Sequence, residues 1–222
     1  MSLHRRALLL GVPAVLAAGT VTGCSLVGGQ LRRRFEQEFS RTGMSHDGWL
    51  SASSTEVVEV ETTLFSSWQV LHAKSSTGDQ QLIGAVPAEG NGFFVLTGEP
   101  DNWAEVVKAA GARIDVPASA AESARMMVLA TNPFDGLQTM INSVDDMPWT
   151  DRQSPDVAAV REEFGHEIAP PVAERDQDRW IATVWTTHEQ DLVRHSVGIE
   201  PDLLHADIEE VWVGGLALQT SG

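Results

Sequence analysis

The chain reads as an α+β protein built on antiparallel sheet. Strand-like alternation begins after Thr55, helical spacing takes over from Glu99 to about Phe164, and strand chemistry returns from Trp180 to Val213. Strands, then helices, then strands belong to α+β folds and not to alternating parallel units.

The elements follow in order. Val58, Val60, Thr62 and Leu64 share one parity and Glu59, Glu61 and Thr63 the other, so the first strand is expected to keep one face wet. Trp68–Lys74 and Gln81–Val86 are two further strands joined by a hairpin loop over Ser75–Asp79, and Asn91-Gly92 turns the chain into Phe93–Leu96. Together these four segments suggest a meander. Glu99-Pro100 opens a helix that shows Trp103, Val106, Val107 and Ala110 on one face and stops at Gly111. Ser119 and Glu122 have capping-box spacing for a second helix, which Asn132-Pro133 should break. Between Phe134 and Arg175 only a helix over Pro155–Phe164 is legible, and Glu174–Arg179 reads as a solvated charged loop. Trp180–Thr186 and Leu192–Ile199 flank a turn at His188–Asp191, and Ile208–Val213 is the last strand.

Composition sets the partners. With 31 acidic against 15 basic residues the formal net charge is -16, a surface that repels phosphate backbones, so nucleic acid is excluded as a partner. At 222 residues with 42% hydrophobic content the chain is long enough for one ordinary core without staples. The expected organisation is an export segment over 1–23, a tether and basic linker over 24–54, and one α+β domain over 55–222.

The first segment reads as an address. Arg5 and Arg6 form a basic start, Ala7 to Ala18 is apolar, and small residues lead to Cys24. The apolar run is about 12 residues, short of the roughly 20 that span a bilayer. Val21-Thr22-Gly23-Cys24 resembles the lipobox of bacterial lipoproteins, a branched apolar residue and two small ones before the cysteine that receives diacylglycerol. The resemblance covers about two dozen residues. It implies cleavage between Gly23 and Cys24, acylation (palmitate chemistry) of Cys24, and attachment of the mature protein to the outer face of a cell-envelope membrane. His4-Arg5-Arg6-Ala7-Leu8-Leu9 is similar to a twin-arginine export signal, while a general secretory signal also accommodates it. Loss of residues 1–23 removes Arg5 and Arg6 and no acid, taking the net charge from -16 to -18. Cys24 is the only cysteine. Once it is acylated, thiol nucleophiles, thiolate zinc and redox chemistry are excluded. Ser25–Gln30 reads as flexible, and Arg32-Arg33-Arg34 near the lipidated end as either a membrane-surface patch or a solvated charged turn.

The rest of the chain offers little chemistry. His188-Glu189 lacks a second histidine four residues on, since position 192 is Leu192, so no zinc-protease helix is present. His195 shares parity with Val193, Val197 and Ile199 and reads as a packed, hydrogen-bonded histidine. No phosphate loop and no serine elbow appears. Neither a catalytic set, a metal site nor a cofactor is expected. Trp49 and Trp149 fall in loops, where each either anchors a partner or lids the core. The reading is a lipid-anchored, acidic, non-catalytic binding domain for an envelope protein or a small ligand. Its alternative is an envelope hydrolase whose Asp145, Asp146, Glu189 or Asp191 converge only in the fold.

Overall fold

The computed structural model of the protein describes residues 24–43, 48–76, 80–130, 138–200 and 206–219. The expected α+β class with antiparallel sheets is what the chain adopts, but the two strand-rich regions form separate sheets and not one. The first runs β1 (Glu56–Val60), β2 (Trp68–Lys74), β3 (Gln81–Pro87), β4 (Phe94–Val95), each antiparallel to the next. The second contains β5 (Gln138–Ile141), β6 (Val172–Asp176), β7 (Arg179–His188), β8 (Asp191–Ile199) and β9 (Ala206–Val213), in the order β5-β7-β8-β9. Since β8 takes one edge of β7, β5 and β6 share the other, β5 opposite Trp185–His188 and β6 opposite Arg179–Thr183.

A helix α1 (Cys24–Ser40) corrects the expected tether: Ser25–Gln30 is helical, despite Gly28 and Gly29. Leu31, Phe35 and Phe39 recur every four residues and form the stripe that packs on the first sheet. That packing outweighs a glycine cost of roughly 1 kcal/mol each. Glu38 then locks the end of the helix, accepting from Arg41 Nη1 at 2.5 Å and from the Gly92 backbone N–H at 3.3 Å. The same helix overturns the wet face expected of β1. Val57, Leu71, Ala73 and Leu82 point at α1, Val70 and Ile83 point the other way into a second core, and Val58 is 42% exposed. Gly84 in β3 is required by this arrangement, because the Phe93 ring lies 2.3 Å from where a Cβ would stand. Phe93 in turn meets Phe35 edge-on at 5.2 Å.

Helix α2 (Pro100–Ala109) buries Trp103, Val106 and Val107, the expected face, and Gly111 ends it in the left-handed conformation at φ 64°. Helix α3 (Pro117–Ala130) starts two residues before the expected cap, so Ser119 reaches back to the carbonyl of Val116 at 2.9 Å and does not cap as the first residue. Most of α3 is buried because it lies between the sheets, where Ala120, Ala124 and Ala130 permit close approach. The break expected at Asn132-Pro133 falls outside the described residues. Helix α4 (Pro155–Phe164) agrees with expectation, capped by Ser154 accepting from Asp156 N–H. The layers therefore run α1, first sheet, α2 and α3, second sheet, α4, with one apolar cluster under α1, one around α2 and α3 between the sheets, and one beneath α4.

The charged run Glu174–Arg179 is no loop. Its first half is β6, a strand whose Arg175 lies over the Trp180 ring at 5.3 Å, and Gln177 at φ 55° makes the turn into β7. The hairpin of β7 and β8 turns at the expected place, with Val184 opposite His195.

Candidate functional site

A cleft of about 580 Å³ opens where the end of β1, the connection Glu61–Ser67 and the start of β2 face α3. The connection is seven residues long because it tucks Leu64 and Phe65 down into the central core, with Phe65 5.8 Å from the Trp103 ring. What remains at the surface is polar. Thr62, Thr63 and Ser66 contribute hydroxyls, and Trp68, braced by Phe94 at 5.6 Å, contributes an aromatic wall.

Two polar relays hold the walls. On the α3 side Arg125 binds Glu122 through two bonds of 2.8 Å, Nε to Oε2 and Nη2 to Oε1, and donates to the Glu61 carbonyl at 2.7 Å. That hydrogen-bonded carboxylate raises the Arg125 pKa against the opposing effect of burial. On the β2 side Arg34 from α1 donates to Gln69 Oε1 at 2.6 Å and to the Pro87 carbonyl, which leaves the Gln69 amide to donate to Glu59 Oε2 at 3.1 Å. Arg34 therefore faces the sheet, and Arg32 is engaged as well, 3.8 Å from Glu36. Of the three arginines read as a surface patch, Arg33 alone is exposed.

The site residues read from sequence lie elsewhere. Trp149 is 5% exposed and donates to the Val144 carbonyl at 2.9 Å, so it lids the cluster beneath α4 and offers no surface to a partner. Trp49 packs against the cluster under α1. Cys24 is in α1, whereas Arg5, Arg6 and Gly23 lie outside the described residues. The four carboxylates of the hydrolase reading are not brought together: Asp145 and Asp146 follow the Ile141 end of β5, Glu189 and Asp191 the His188 end, and β5 itself spans about 10 Å. Asp145 pairs with Arg161 at 2.7 Å and Asp191 accepts from the Gly215 N–H at 3.3 Å. Among the described residues, no three His, Cys, Asp or Glu side chains are grouped to hold a metal ion.

No family model, curated protein or solved structure matches this chain.

One constellation has the order of a catalytic relay. His195 Nε2 is 2.8 Å from Thr186 Oγ1, and His195 Nδ1 is 3.1 Å from Glu210 Oε1, an electrostatic pairing at an angle that falls short of a hydrogen bond. Thr186 is 0% and His195 1% exposed, so no substrate reaches the hydroxyl. The set is structural, the packed histidine expected from parity. Burial lowers the His195 pKa below 6.5, the Glu210 carboxylate opposing it, and burial likewise lowers that of His72. Depressed folded-state values mean that the unfolded chain takes up protons first on acidification. Stability from both histidines is complete above about pH 6.5 and is lost as pH falls through their folded values. Urea midpoints are thus expected to decline on going from about pH 7.5 to 5.5, and less steeply in His195→Gln. Equal slopes in the two proteins would remove His195 as the cause.

The sequence signal for the cleft was present but ambiguous. Glu59, Glu61 and the hydroxyl run ahead of Trp68 look like the polar face of any strand, and only α3 crossing above them makes a wall. The one basic residue of a mostly buried helix, Arg125 three residues after Glu122, was the more specific mark.

Proposed function

We propose that this protein is a lipid-anchored component of a bacterial cell envelope, attached through acylated Cys24, whose acidic domain binds a ligand in the cleft and performs no catalysis. The carrying observation is the continuity of α1. The described part of the helix includes the lipobox cysteine and runs without interruption to Phe35, about 16 Å along its axis, where it enters the fold. Its Arg34 then grips Gln69 in the cleft wall. The helix that carries the lipobox cysteine thus also braces the cleft wall, and on this reading a head of high negative charge stands off an anionic membrane instead of lying flat on it. No helix among the described residues is long and apolar enough to cross a membrane.

The test is made in cells of a lipoprotein-processing bacterium supplied with labelled palmitate. The full-length protein is expected to carry the label and to sediment with membranes until detergent is added. Cys24→Ala is expected to lose the label and to leave the mature, detergent-extractable membrane pool. Unchanged label and partition in the variant would overturn the anchor.

A further inference from the structure

We propose that the cleft is built for a small organic cation, an ammonium group carried on an apolar body. The inference rests on the cleft being the binding site and adds the chemistry of what it takes. Its lining contains three carboxylates, Glu59, Glu61 and Glu122, against one cation, Arg125, a net charge of -2. The Arg125 guanidinium is already spent on Glu122 and the Glu61 carbonyl, so it offers little to an anionic ligand. Glu59 and Glu61 are left as the charges that a ligand meets. Glu59 is preset, since Gln69, fixed from behind by Arg34, donates to its Oε2.

The remaining lining suits the same class. Trp68 and Phe65 bring aromatic rings whose faces attract cations within about 6 Å. An ammonium group has three donors and no acceptor, and here it meets carboxylates and the hydroxyl oxygens of Thr62, Thr63 and Ser66. A volume near 580 Å³ is that of a small-molecule site. The field of a chain of charge -16 concentrates cations and repels phosphates and carboxylates. The ammonium can belong to a free amine or to a lysine side chain of a peptide.

The full chain in detergent is titrated with phenethylamine, with its neutral counterpart phenethyl alcohol, with acetyl-lysyl-phenylalanine amide and with glucose, followed by tryptophan fluorescence and calorimetry. At least one of the two cations is expected to bind, more weakly as salt is raised, with the alcohol about tenfold weaker, a factor corresponding to about 1.4 kcal/mol. Glu59→Gln and Glu61→Gln, both at exposed positions and checked for unchanged thermal unfolding, are expected to weaken the cation about tenfold and leave the alcohol as it was. The peptide binding where phenethylamine does not would assign the ammonium to a peptide source. Equal affinity for amine and alcohol, or indifference to both glutamine variants, overturns the cation chemistry. Alcohol or glucose binding that is lost in Trp68→Leu would do so while sparing the cleft as a binding site. Silence of all four probes removes both readings.

Discussion

Phe35→Ala is expected to destabilise the protein by about 3–5 kcal/mol, the cost of removing a fully buried aromatic side chain and leaving a cavity. Phe35 is 0% exposed and lies at the centre of the cluster under α1, edge-on to Phe93 and among Val57, Leu71 and Leu82. Phe93 cannot collapse into the vacated space without uncovering Gly84, on which its ring rests. The cavity should therefore stay open and the cost fall toward the upper end of the range. Urea unfolding of the full chain reads the effect as a lowered midpoint, and Phe35→Leu, which keeps most of the volume, should lose far less. A loss under about 1 kcal/mol in Phe35→Ala would mean that α1 is an appendage whose removal the sheet tolerates. The same variant bears on the cleft: with α1 detached, Arg34 no longer holds Gln69, and the cleft wall loses its support from the α1 side.

The place of α1 also explains what the sequence concealed. Strands β2, β3, β7 and β8 were legible because their apolar runs are long and bounded by turn residues, and α4 because Ser154-Pro155 marks its start. The first sheet's second buried face was not legible. Val57 and Val58 are adjacent and chemically alike, and parity alone cannot say which is covered when a helix 20 residues earlier supplies the cover. β6 was hidden for the opposite reason. Glu174, Arg175 and Asp176 are exposed on an edge strand, where charge is a normal protection against pairing with other chains, so the segment carries almost no apolar signal beyond Val172 and Ala173. The candidate site was least legible of all. Glu59, Glu61, Trp68 and Arg125 lie up to 66 positions apart in sequence and become one surface only when α3 packs between the sheets. Cys24 is the reverse case, a residue marked by a local motif and not by the fold.

Trp103→Ala is expected to cost a further large amount, again about 3–5 kcal/mol, and to do so for the whole molecule at once. Trp103 is 1% exposed in the cluster that joins Val70 and Ile83 of the first sheet to Ala182 and Val197 of the second, and its indole N–H donates to Ser123 Oγ at 3.1 Å. Truncation opens a cavity and strips a buried hydroxyl of its partner, two penalties at one position. Because the two sheets meet through α2 and α3, far-ultraviolet circular dichroism and tryptophan fluorescence should still report one coincident transition at the lowered midpoint. Two separated transitions would show that each sheet folds with its own outer helix and that the central cluster only docks them. Trp103→Phe separates the terms, retaining most of the ring packing and losing only the bond to Ser123, and should cost about 1–2 kcal/mol. The substitution also reaches the cleft. Phe65 lines the cleft on one side and rests on Trp103 on the other, so Trp103→Ala removes the floor on which the Glu61–Ser67 connection is seated. Affinity for the cation should then fall in Trp103→Ala at temperatures where the protein is still folded, while Trp103→Phe, with the floor intact, keeps it.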